Sequence, residues 1–238
     1  MMLRKLLLSV VMGVLGSAPA LAVPREVARP AAQVKRTVAG TSKLHRSRVT
    51  RTAVKAAASK TKRPAVPLSR GGRVARRAAG LIGASLAAYH VPDDCSGLVR
   101  LAYQSVGVEL LSQGGQPGAN AVSTIYRRAQ RSGALHQRKP QPGDVVFFRE
   151  TYDRNRDGVR NDGLTHVGVV ESVERDGTVV FVHRGGNGVK RSRMNLLHPT
   201  QRARGPRVLN DYIRRAEGGQ PACLASELFA GYASASRL

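Results

Sequence analysis

The stretch Asp93-Asp94-Cys95-Ser96-Gly97-Leu98-Val99-Arg100-Leu101-Ala102-Tyr103 decides how the chain is read. Apolar residues at Leu98, Val99, Leu101, Ala102 and Val106 recur with helical spacing. The acidic pair before them suits a helix N-terminus, because a capping Asp accepts a bond from an otherwise unpaired backbone N–H. Cys95 is therefore predicted in the first turn, where the helix dipole and free amides favour a thiolate over a thiol. A buried structural cysteine on an amphipathic helix would give the same local pattern. The flanking sequence has to separate the two readings.

Downstream of this helix, Gln113 to Asn120 is a Gly/Pro-rich loop, and a further helix is predicted from Val122 to Gln130. The period then changes from helical to strand. Pro142-Gly143-Asp144 is turn chemistry before the apolar run Val145 to Phe148. A second strand is predicted over Thr165 to Val173. Arg175-Asp176-Gly177 is a hairpin turn, Thr178 to His183 a third strand, and Arg207 to Ile213 a fourth. Upstream, apolar residues from Val74 to Ala87 predict a first helix broken near Gly83, and Tyr89 to Pro92 a short extended link into the acidic cap and the Cys95 helix. Helices followed by an antiparallel meander make the fold class α+β.

The ends of the chain are of a different character. Residues 1–22 have the form of a secretory signal peptide: Arg4 and Lys5, an apolar run from Leu6 to Gly16, then Ala20-Leu21-Ala22 at the cleavage position. An exported protein of the periplasm, envelope or extracellular space is expected, with no transmembrane span after cleavage. Residues 23–72 form a basic arm rich in Ala, Lys and Arg. Over 24–79 there are sixteen Lys and Arg against one acid, Glu26, within a chain of net charge +24. With no aromatic residue and no periodicity, this arm is predicted to be disordered. It suits anionic envelope polymers as partners; behind a signal peptide, nucleic acid is disfavoured. The folded domain is placed at 73–217. Residues 218–238 are read as a peripheral tail in which Leu224, Leu228 and Phe229 form one short helix. Cys95 and Cys223 are the only cysteines, so a bridge between them and a free Cys95 are both open, and the free thiol is favoured.

Three blocks, Asp94-Cys95-Ser96-Gly97-Leu98-Val99, Gln141-Pro142-Gly143-Asp144-Val145-Val146-Phe147-Phe148 and His166-Val167-Gly168-Val169-Val170, resemble the signature blocks of the NlpC/P60 family, in the family's order. The resemblance covers about residues 73–213. It implies a papain-like α+β fold, with the nucleophile helix packed on an antiparallel sheet. It also implies a cysteine peptidase or amidase acting on peptidoglycan peptides. The residues fit such chemistry independently, since a thiol needs a base in reach and the base needs a partner to fix its tautomer. Cys95 is the candidate nucleophile, His166 the base and His183 the orienting residue, and the resemblance gives these positions the same roles. Ser96 and the backbone at the helix start are candidates for meeting substrate and oxyanion. Tyr89 stands where the family often places a tyrosine that lines the site. The glycine-rich link that usually follows that tyrosine is replaced here by His90-Val91-Pro92-Asp93.

The insert Tyr152 to Gly163 is a second departure. Asp153, Asn155 and Asp157, followed by Gly158, have the oxygen-ligand spacing and turn glycine of a calcium loop, although Leu164 occupies the twelfth position in place of a bidentate Glu. A structural Ca²⁺ there and a polar Asx-rich turn are both consistent with the spacing, and the predicted hydrolysis needs no cofactor. Two other function classes remain on composition: a cell-wall binding module without turnover, and a basic nucleic-acid-binding protein.

Overall fold

The computed structural model describes residues 67–112 and 118–238. The segment read as a signal peptide and nearly all of the basic arm lie outside the described residues. Helix α1 (Arg70–Ala79) begins three residues inside the predicted arm, with Ser69 Oγ accepting from Gly72 N–H. It buries Val74, Ala75 and Ala78 while its arginines face away. A 3₁₀ turn, Leu86–Tyr89, follows, and His90 sits in the left-handed region (φ 56°), so the predicted extended link is instead a tight reversal.

Helix α2 (Cys95–Gln104) starts where the acidic pair says it should, and α3 (Ala121–Arg131) is capped by Asn120. Asn120 also donates from Nδ2 to the Leu164 carbonyl at 2.9 Å, tying α3 to the sheet.

The main sheet has six antiparallel strands in the order β1 (Leu135–His136), β10 (Phe229–Ala233), β2 (Val145–Arg149), β3 (Leu164–Val173), β4 (Val179–Gly185), β5 (Gly188–Met194). All three helices pack on one face, where Leu98, Val99, Ala102, Val145, Phe147 and Val167 belong to the larger core. The other face carries a second cluster around Val146, Phe148, Phe181 and Tyr232. This is the α+β arrangement expected of helices laid over an antiparallel sheet.

Three expectations are corrected. The predicted fourth strand at Arg207 to Ile213 resolves into β7 (Arg207–Val208), paired with β6 (Ala203–Arg204), and β8 (Tyr212–Arg214), paired with β9 (Cys223–Leu224); none joins the main sheet. The strand that follows β4 is β5, whose sequence Gly-Val-Lys-Arg-Ser-Arg-Met conceals a buried set of Val189, Ser192 and Met194 behind its charges.

The third concerns the C-terminal tail, which forms strands and no short helix. Gly231, Tyr232 and Ala233 pair with Phe147, Val146 and Val145, so β10 lies inside the sheet. Asp144 secures this closure: its buried carboxylate accepts from Gln141 N–H at 2.8 Å and from Ala235 N–H at 2.9 Å. The Pro-Gly-Asp turn is thus an anchor for the chain end.

Candidate active site

Asp94 shapes the Cys95 end of the site. Its Oδ1 accepts from Gly97 N–H at 2.9 Å and from Ser96 Oγ at 2.7 Å, which fixes the first turn of α2. Ser96 is buried, and its hydroxyl is spent on this cap. A Cβ on Gly97 would stand 1.9 Å from the Pro92 carbonyl oxygen, so only glycine lets the helix start pass the incoming chain. Cys95 is half-buried and Cys223 buried, and both are free thiols. The backbone amides of Val167, Cys95 and Ser96 face the Cys95 sulfur and favour its anion, but burial and the Asp94 carboxylate outweigh them and push the thiol up to about 11. The expected thiolate is therefore not the resting form, because desolvation of the charge exceeds what the helix start returns.

The histidines come from adjacent strands and lie on one face of the sheet. His166 on β3 and His183 on β4 meet through Nε2 and Nδ1 at 2.8 Å. Gly168 makes this contact fit: a Cβ there would stand 2.9 Å from the Val182 carbonyl oxygen and 3.3 Å from the His183 Cβ. His183 Nε2 in turn meets Ser192 Oγ, on β5, at 3.0 Å. The three side chains form a buried chain across β3, β4 and β5. Burial holds both imidazoles neutral, His166 at about 4 and His183 well below the ordinary value, the latter lowered further by its neighbour His166.

Cys95, His166 and His183 all line one cleft of about 530 Å³, so the structure brings the three predicted residues together. Tyr89 is not among its lining residues. It is exposed beneath the Arg77 guanidinium, 5.1 Å from the ring centroid, because the reversal at His90 turns that segment aside. The tyrosine in the cleft is Tyr152, from the insert; burial raises its hydroxyl and the Asp94 carboxylate adds to the effect. An Asp93–Arg184 ion pair at 2.8 Å closes one rim.

Asp153, Asn155 and Asp157 do share one loop, but the loop is held by its own amides. Asp153 accepts from Arg156 and Gly158 N–H, and Asp157 from Val159 N–H, all at 2.7 Å. Among the described residues no group of three or more His, Cys, Asp or Glu is placed to hold a metal ion.

Sequence reasoning missed Ser192 and Tyr152. Ser192 follows two basic residues in a strand whose alternation the charges mask. Tyr152 opens an insert whose acidic residues carry the stronger sequence signal. The NlpC/P60 family model matches residues 82–208, a span that includes Cys95, both histidines and Ser192. No curated protein and no solved structure matches the chain.

Proposed function

The chain belongs to the NlpC/P60 family, a family of cysteine peptidases and amidases of the cell-wall type, and from that premise we propose that it cleaves an amide bond in peptidoglycan stem peptides through an acyl-enzyme on Cys95. The observation that carries this reading is the buried His166–His183–Ser192 chain opening on the same cleft as a thiol at a helix start.

In the proposed reaction His166 Nε2 is committed to His183, which leaves Nδ1 to serve Cys95. The thiol proton passes to Nδ1 as sulfur bonds to the carbonyl carbon, since both groups rest uncharged. The oxyanion meets the amides at the start of α2. Nδ1 then returns its proton to the leaving nitrogen as the C–N bond breaks. Water, losing a proton to Nδ1, attacks the thioester; the C–S bond breaks and the sulfur recovers its proton. His183 and Ser192 act by positioning, fixing the His166 ring and its tautomer. Export and attachment to anionic envelope polymers through the basic arm belong to the same proposal, and such attachment weakens with salt.

The test is incubation with purified peptidoglycan, beside Cys95→Ala, with products read by mass spectrometry. New peptide ends with the unaltered protein alone support the reading and identify the bond. Equal products from both, or binding with no products from either, overturn it; the second outcome favours a wall-binding module.

A further inference from the structure

A second concavity lies on the opposite end of the β3–β4 hairpin from the histidines and shares no lining residue with the cleft. It is an open groove of about 550 Å³, walled by Val173, Val179, Leu196, Leu197 and Tyr232. Leu197 is 72% exposed and Leu196 37%, an unusual pair of aliphatic side chains to leave in water. Arg138, Lys139 and Arg175 stand around the same groove, and none has an ion-pair partner among the described residues. The nearby acids are already engaged. Asp176 holds Arg207 at 3.1 Å and accepts from Thr178 N–H at 3.0 Å, and Glu174 is paired with Arg207 and Arg193.

Apolar walls with uncompensated cations at the edge are complementary to a molecule that is aliphatic along its body and anionic at one end. The chain's own N-terminal arm is the wrong sign for this site, because its lysines and arginines would face three like charges. We propose that the groove binds a single-chain alkyl phosphate, the chemistry of a one-tailed phospholipid, with the chain against Val173, Val179, Leu196 and Leu197 and the phosphate at Arg138, Lys139 and Arg175. Arginine supports this head group by presenting paired N–H donors to phosphate oxygens. The site would hold the domain to an amphiphile without involving the thiol cleft.

The test uses the full chain and titration calorimetry with octyl, decyl and dodecyl phosphate below their aggregation concentrations. Affinity is expected to rise about fourfold per added CH₂, the increment that burial of one methylene supplies. Arg138→Gln with Arg175→Gln should weaken dodecyl phosphate at least tenfold. Leu196→Asn with Leu197→Asn should abolish the dependence on chain length while leaving the melting temperature unchanged, since both leucines are exposed. Three results would each overturn the proposal: inorganic phosphate binding as tightly as dodecyl phosphate, dodecyl maltoside binding as tightly, or the leucine variant keeping the chain-length dependence.

Discussion

Ser192→Ala removes one hydroxyl and changes little else, which makes it a clean probe of the buried chain. The lost bond is the 3.0 Å contact with His183 Nε2, between side chains that are each 3% exposed. In the folded protein the cost of leaving that nitrogen unpaired is about 1–3 kcal/mol. A domain of this size loses about 2–4 °C of melting temperature per kcal/mol. The effect on turnover is separate. When His166 takes the thiol proton, its charge is shared toward His183, whose Nε2–H then donates to Ser192. A bond supporting a charged group contributes about 1.5–3 kcal/mol against about 0.5–1.5 for a neutral one. The difference, about 1 kcal/mol, is present only once the proton has moved, so kcat should fall about fivefold with KM unchanged. Ser192→Thr keeps the hydroxyl and should restore most of the loss. The assay is steady-state cleavage of a soluble stem peptide beside a thermal melt. A lowered melting temperature with kcat within twofold of the parent would show a purely structural bond. A change confined to KM would refute the positioning role equally.

Three further outcomes follow from the geometry. His166 lies at about 4 in the fold against about 6.5 in the unfolded chain, so the unfolded state binds the extra proton between those values. Stability from this residue is complete above about pH 6.5 and declines by about 3 kcal/mol as pH falls toward 4; urea unfolding at pH 7 and pH 4.5 should show a smaller difference in His166→Gln. Iodoacetamide alkylation of Cys95, followed in a Cys223→Ser background, should keep rising with pH toward about 11, and a plateau near neutrality would mean that a preformed thiolate exists. Removing residues 227–238 takes out β10 from between β1 and β2, and should give insoluble or unfolded protein, whereas a dispensable tail would leave the melt intact.

What the sequence alone determined is the local chemistry. Asp94, Cys95 and Gly97 define a capped helix start because capping and close backbone approach act within a few residues. The apolar runs in Val145–Phe148 and Thr165–Val173 mark buried strands, and His166 and His183 stand near the same end of one hairpin because a tight turn joins their strands. The tertiary structure decided whatever depends on partners distant along the chain. Ser192 reaches His183 only through the β4–β5 register. Tyr152, carried on an insert, enters the cleft that Tyr89 leaves. Tyr232 and Ala233 pair with Val146 and Val145, almost ninety residues earlier in the chain. Even the state of the thiol falls on this side of the division: the helix start favours the anion, but it is the depth at which the fold buries Cys95 that makes desolvation the larger effect.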